Sequence, residues 1–403
     1  MNGISGMNIA PTSQKYVCSV CASSDTFIIM ELRDIPILCN VKWPTPAQAR
    51  NTAKGDISLS FCNNCAHVFN HVFEHDRFSY SAQYENTLSF SPLFQEYTHR
   101  LVLDLTRRYN LHSKTIVDIG CGDCNFLTSL CELGQNDGIG FDPSLEHRPD
   151  LDEKNLKIRF IPDMYSERHA SLYADFICCR HVLEHIPDPL GFLQRIRKSI
   201  GNHLNSVLFF EVPNALFIFR DLSIWDIIYE HYSYFHETSL EYLFRISGFS
   251  VQKIYEAYSG QFLCIEATPA EKTEIPAGFI ERVKSFSQYA LKFQTAFKEK
   301  LERLSFKLGE IQKKSHRAVV WGAGSKGVMF CNIMKVCETV KYVVDINPRK
   351  EGMHISGTGQ KIVSPQFLFR YRPEVIFVMN SIYLNEISKM LREQKLSSEL
   401  FIV

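Results

Sequence analysis

Four cysteines are placed to do metal chemistry. Cys18 and Cys21 form one C-x-x-C pair, and Cys62 and Cys65 form a second about 40 residues later. Two thiolates at that spacing sit on a tight knuckle where both sulfurs reach one ion, and two knuckles supply the four ligands of a closed tetrahedral zinc site. With four ligands in place no position remains for water, so the zinc is expected to be structural. Cys39 and His67 are spare ligands that one ion does not need. A second chemistry starts where Ile116 to Ile119 runs into Gly120-Cys121-Gly122. Glycines there let the backbone approach a ligand at the switch point of a parallel sheet. The following apolar run ends in Asp142, a carboxylate placed to accept both hydroxyls of a ribose. A third chemistry lies between Trp225 and Phe235, a cluster dense in titratable and aromatic groups. Histidine titrates near neutral pH, and His231 with the adjoining Glu230 can supply a base together with a group that orients it.

These residues need elements to hold them, and the chain divides into four stretches. Residues 16–76 are punctuated by Pro36, Pro44, Pro46 and Gly55 and are expected to form a small, loop-rich zinc module with little core of its own. Residues 77–275 begin with a helical pattern over 77–110, where Leu93, Phe94, Tyr97, Leu101 and Leu105 recur at three- and four-residue intervals. Apolar runs at 116–119, 138–141, 176–179 and 207–212 then alternate with helical stretches, which predicts an α/β domain with a parallel sheet. Residues 276–316 predict one long amphipathic helix with Phe279, Val283, Phe286, Phe293, Leu301 and Leu308 on its apolar seam. That seam suits either packing along the chain's own domains or a coiled-coil dimer, so a monomer or a homodimer is expected. Residues 317–403 repeat the α/β pattern with strands at 318–321, 342–344, 375–379 and 400–403. There Gly322-Ala323-Gly324-Ser325-Lys326-Gly327, with Asp345 about 20 residues on, fits a dinucleotide fingerprint, so an NAD-dependent oxidoreductase is the rival from another reaction class.

Composition narrows the field. A chain of 403 residues predicts two to four domains. Lys+Arg 44 balances Asp+Glu 44, which leaves no electrostatic argument for a nucleic-acid partner. No apolar run approaches the roughly 20 residues of a membrane span, and Met1 to Tyr16 lacks the regions of a signal peptide. The 13 cysteines are an odd number in a large chain, which fits a reducing, cytoplasmic compartment.

The order of the glycine turn, Asp142, Asp163 and a strand leading into Leu183-Glu184-His185 resembles class I S-adenosylmethionine-dependent methyltransferases, with their doubly wound sheet. The resemblance implies that Gly120 and Gly122 pass under the methionine part of the cofactor. It also implies that Asp142 holds the ribose, Asp163 meets the adenine amine and Asp118 anchors the turn. One departure is Cys124, where that family usually has a third glycine, and it implies a narrower pocket or a shifted helix start. Over nearly its whole length the chain resembles the three-domain sugar C-methyltransferases, which act on nucleotide-linked keto-deoxysugars. Beyond the two cysteine knuckles, the likeness rests on Tyr84-Glu85-Asn86-Thr87-Leu88-Ser89, Leu183-Glu184-His185, Tyr229-Glu230-His231, Ser233-Tyr234-Phe235, Trp321 to Gly327, Asp345-Ile346-Asn347-Pro348 and Gly357-Thr358-Gly359. It implies that His231 is the base with Glu230 assisting, and that Tyr84 and His185 face the substrate. One pattern of that family has a tyrosine three residues before the histidine; Ile228 stands there, so Tyr229 receives no firm role. The implied reaction is removal of an acidic proton beside a ketone, followed by methyl transfer to the resulting enolate carbon, with no metal in the chemistry. The resemblance also makes the last domain a Rossmann-like support for the substrate end, with Gly322, Gly324 and Gly327 lining a cleft without holding a nicotinamide. An O- or N-methyltransferase acting on another polar small molecule would need the same cofactor domain and is the alternative.

Overall fold

Short apolar strands bounded by Gly and Asp dominate the chain from Thr115 onward. In a computed structural model, which describes residues 16–77, 85–147, 157–169 and 173–403, they build two seven-stranded sheets. The middle sheet has the order Phe249–Ala257, Phe262–Pro269, Val207–Pro213, Phe176–Arg180, Thr115–Ile119, Asp137–Phe141, Ile158–Ile161. Its last five strands are parallel, and Phe262–Pro269 joins them antiparallel. Chain order reverses on either side of Thr115–Ile119, so the loops leaving the carboxyl ends of this strand and Phe176–Arg180 flank the crevice where such sheets bind ligands. Ile116, Val117, Phe176, Ile177, Leu208 and Phe210 are buried, as strands covered on both faces require.

The carboxy-terminal sheet runs Glu399–Ile402, Val375–Val378, Ala318–Trp321, Val340–Val344, Lys361–Val363, His354–Ile355 and then Lys42–Trp43. The edge strand Lys42–Trp43 comes from the amino-terminal stretch, pairing antiparallel with His354–Ile355. A reciprocal loan joins the amino-terminal sheet, in which Thr26–Pro36, Lys54–Cys62 and Val68–Asn70 are completed by Ser233–Tyr234. The sheets therefore cross the lines drawn from composition.

Two expectations change here. The amino-terminal stretch is not mainly loop: its strands Thr26–Pro36 and Lys54–Cys62 span 11 and 9 residues, and Ile57, Leu59 and Phe61 alternate inward with no exposure. It finds a core by sharing one, with Phe61 packed against Phe286 of the long helix at 5.8 Å between ring centroids. Of the helical pattern placed over 77–110, residues 78–84 lie outside the described residues, and the described residues form an α-helix from Pro92 to Tyr109. Ser91 caps it by accepting from the Phe94 N–H, Pro92 occupies the first turn, and Asn110 ends it in the left-handed region at φ 48°.

The long helix spans Phe279–Lys313, and Phe279, Val283, Phe286, Ala290, Phe293, Phe297, Leu301, Leu304, Leu308 and Ile311 are all buried within the single chain. Full burial of each larger apolar side chain contributes about 1.5–3 kcal/mol, so the seam is spent on this chain's own domains rather than left for a coiled coil.

Candidate active site

A cleft of about 1560 Å³ opens between the middle and carboxy-terminal domains, lined by both glycine loops and by the segment that carries His231. In the first loop, Gly120 and Gly122 have φ of 75° and 55°, a region that disfavours side chains. A Cβ on Gly120 would lie 2.2 Å from Val182, whereas the corresponding side of Gly122 faces open space. The loop is tied to the neighbouring strand: the N–H groups of Gly120 and Cys121 donate to the Phe141 carbonyl at 2.7 and 3.1 Å. Asp142 accepts from the Gly122 N–H at 2.9 Å and from the Ser144 N–H at 2.8 Å.

Asp142, Asp163 and Asp118 line the same cleft. Asp163 accepts from its neighbour Met164 N–H and from Arg168, both at 2.8 Å. Asp118 is buried beneath the loop, and desolvation pushes its carboxyl up to about 7. The hydrogen bonds of the loop run to Phe141 and Asp142, with Asp118 packed below them. Cys124 is placed differently from the expectation. It takes φ 63° at the start of the helix Asn125–Gly134, and its side chain packs with Cys121, Leu145 and Phe160 away from the cleft lining. The left-handed backbone that a glycine would hold is present; the thiol is turned under the loop, 3.7 Å from Cys121 Sγ, and leaves the pocket open.

His231 and His185 meet at the cleft with their rings in a T-shaped contact, centroids 5.0 Å apart. His185 Nδ1 donates to the Glu230 carbonyl at 2.8 Å. Burial and the neighbouring His185 push His231 down to about 3. The carboxylates acting on it most strongly are Glu184 and Asp226. Glu230, expected beside it, is fully buried, does not line the cleft, and sets its carboxylate near Cys39 and Lys42. Consecutive residues send their side chains apart, which is why adjacency in sequence does not give adjacency of function here. Tyr84 lies outside the described residues.

Other site groups were not singled out from sequence. His181, at the end of the strand Phe176–Arg180, adopts φ 55° and sits with Nε2 2.9 Å from Glu211 and Nδ1 3.7 Å from Glu184. These two carboxylates outweigh the effect of burial and raise it to about 9. Glu211 also accepts from Arg180, at 3.1 and 2.8 Å, and from Tyr97. Across the cleft, Lys326 of the second glycine loop bonds Asp226 and Ser223. The available signal was position: Arg180 and His181 leave the carboxyl end of a parallel strand, where α/β sheets place functional groups.

The four knuckle cysteines converge as expected. Cys18 and Cys65 sulfurs lie 3.6 Å apart, Cys21 and Cys62 3.5 Å, and all four fall within 4.8 Å of one another. Sulfurs bound to zinc at about 2.3 Å in a tetrahedron would be about 3.8 Å apart, so the donor set fits that ion. His67 stands beside it, with Nδ1 3.6 Å from Cys18 Sγ and Nε2 3.1 Å from Ser233 Oγ. Beyond His67, the strand pairing of Val68–Asn70 with Ser233–Tyr234 links this module to the segment that begins at His231. Tyr229 is held there too: its hydroxyl accepts from the Glu74 N–H at 3.1 Å, and its ring fills the space that a side chain on Gly55 would need.

Comparison with known proteins follows this division. Residues 94–254 match the family model described as a methyltransferase domain, and residues 273–403 match that of the C-methyltransferase C-terminal domain. The chain is 29% identical over 124 residues to a ubiquinone biosynthesis O-methyltransferase of Aliivibrio fischeri, covering 28% of this chain and 52% of that protein. It is 33% identical over 117 residues to a tRNA U34 carboxymethyltransferase of Aliarcobacter butzleri, covering 28% and 37%. The chain thus spans about half or less of the length of these curated relatives. A solved structure of magnesium protoporphyrin IX methyltransferase from Synechocystis PCC 6803 aligns at 16% identity and TM-score 0.35, covering 44% of this chain and 84% of that one. The middle of the chain is thus similar to methyltransferase domains, and its carboxy-terminal part to C-methyltransferase C-terminal domains.

Proposed function

We propose that this protein is an S-adenosylmethionine-dependent C-methyltransferase acting on a nucleotide-linked keto-deoxysugar. The observation that carries this reading is that the first glycine loop, the His231–His185 pair and the loop of the C-methyltransferase domain line one cleft. The open side of Gly122, with the Asp142 and Asp163 carboxylates nearby, fits the cofactor. Gly120 and Gly122 would run beneath its methionine part, Asp142 would take the ribose hydroxyls, Asp163 the adenine amine, and Asp118 would support the loop from below. Bound there, S-adenosylmethionine supplies a methyl group on a sulfonium. His231 removes the proton beside the ketone, His185 and Tyr84 contact the sugar, and the walls hold the carbon in line for attack. The carboxy-terminal loop around Gly322, Gly324 and Gly327 receives the nucleotide end. A structural zinc on Cys18, Cys21, Cys62 and Cys65 stiffens the sheet that Ser233–Tyr234 completes. The residue set and its 13 cysteines suit a cytoplasmic enzyme.

The test is where the methyl goes. The enzyme is incubated with candidate nucleotide-linked keto sugars and S-adenosylmethionine carrying a 13C methyl, and the product is examined by NMR. A methyl carbon coupled to a ring carbon is expected. A label on oxygen or nitrogen would return the protein to the O- or N-methyltransferase alternative.

A further inference from the structure

Three carboxylates are candidates to serve His231, and two are committed elsewhere. Asp226 is taken by Lys326 and Ser223. Glu230 turns toward Cys39 and Lys42. Glu184, which comes from the turn Leu183–His185, is 1% exposed, and its ligating oxygen lies with the ring nitrogens of His185 and His231 in a group spanning no more than 4.8 Å. Glu184 Oε2 and His231 Nδ1 are both buried without a hydrogen-bond partner among the described residues. Its other oxygen, Oε1, faces His181, which leans more closely on Glu211.

We propose that Glu184 is the positioning carboxylate of His231, favouring the tautomer with hydrogen on Nδ1 so that the Nε2 lone pair faces the cleft. This rests on the reading of His231 as the base. In the step it serves, the carbon–hydrogen bond beside the ketone breaks, the proton goes to Nε2 and the electron pair stays on the sugar as the enolate. Protonation at Nε2 turns the same Nδ1–H into a charged donor facing the Glu184 carboxylate, the logic by which a buried acid assists a histidine base. The charges around the ring support the assignment. His185 and His181 oppose protonation of His231, Asp226 is offset by Lys326, and Glu184 is the remaining anion that favours it. Arg180 and His181 are balanced by Glu211 and Glu184, so neutralising Glu184 would leave a protonated His231 beside an uncompensated cation.

Glu184→Gln keeps the shape and removes the charge. Its turnover should fall about 10- to 100-fold, less than the roughly 100- to 10,000-fold expected for loss of the base itself, while S-adenosylmethionine affinity stays within about twofold. The acid limb of its pH–rate profile should move to lower pH, because the ring loses the anion that favours its proton. Glu184→Asp should recover part of the loss. A substrate-free readout separates this inference from the proposed reaction: 15N NMR of histidine-labelled protein, with His231→Gln to assign the signal, should find hydrogen on Nδ1 in the wild type and a weakened preference in Glu184→Gln. Should Glu184→Gln not fold, the wild-type tautomer and the Glu184→Asp profile carry the test. Hydrogen on Nε2 in the wild type, or a variant with unchanged tautomer, turnover and pH profile, would overturn it.

Discussion

Among the described residues, the two glycine loops are built alike and differ in one counter-charge. In each, a parallel strand enters a glycine turn and the next strand ends in an aspartate. Asp142 accepts from Gly122 N–H at 2.9 Å and Ser144 N–H at 2.8 Å; Asp345 accepts from Ala323 N–H at 2.8 Å and Asn347 N–H at 2.9 Å. Asp345, however, is also bonded by Lys350 at 3.3 Å, both side chains being nearly buried. Next to them Lys42 is sealed in, donating to the Ala323 carbonyl at 2.9 Å, and burial with the nearby Lys350 pushes it down to about 7. No cation pairs with Asp142 among the described residues. A carboxylate already neutralised by a buried lysine has little to offer a ribose, whereas one facing a cleft and bonded, among the described residues, by backbone donors keeps acceptor capacity. The lesson is that a matching fingerprint gives the turn and the acid, and the surroundings of the acid decide whether a cofactor can use it. This weakens the NAD reading of the second loop, although its glycines do line the cleft.

Substitutions can break this comparison. The largest effect should come from Asp142→Ala, which is expected to weaken S-adenosylmethionine binding about tenfold or more, since a hydrogen bond to a charged group contributes about 1.5–3 kcal/mol. Asp345→Ala should leave that affinity within about twofold. Calorimetry on both variants is the check, and equal losses would mean that the loops are not functionally distinct. A smaller effect is expected from Lys350→Met, which leaves Asp345 without its buried partner: thermal stability should drop while cofactor affinity holds. An unchanged melting temperature would show that the ion pair does not set the second loop apart. The smallest effect concerns Cys124→Gly. The substitution relieves a left-handed backbone but removes a packed side chain, and these terms oppose each other. Because the thiol lies under the loop, cofactor affinity should change by less than about twofold; a clear gain would mean that Cys124 narrows the pocket after all.

Much of this organisation was legible in the residues. Apolar runs ending in Gly or Asp marked the strands Thr115–Ile119, Asp137–Phe141, Phe176–Arg180 and Ala318–Trp321 within a residue or two. The seam from Phe279 to Ile311 gave the helix, and its ten buried positions chose between the two readings of that seam. The cysteine spacing gave a four-sulfur cluster because two knuckles can converge with little help from the rest of the fold. Less was legible where long-range pairing decides. Lys42–Trp43 and Ser233–Tyr234 are too short to show any period, yet they tie the amino-terminal stretch to both other domains. Prolines between the amino-terminal strands hid the alternation of Ile57, Leu59 and Phe61. At the site, His231 was visible as a residue type, but the carboxylate grouped with it in space was not: Glu230 adjoins it in the chain, while Glu184 comes from another turn.

The central claim is that a base in this cleft removes a carbon-bound proton before methyl transfer. It is tested most directly by incubating the protein with a nucleotide-linked keto sugar in heavy water and following deuterium at the carbon beside the ketone. Wild-type protein should catalyse the exchange, and His231→Ala should slow it about 100- to 10,000-fold while its S-adenosylmethionine affinity remains near normal. Carbon methylation without exchange in any single-turnover or cofactor-free condition, or exchange that His231→Ala leaves intact, would contradict the account.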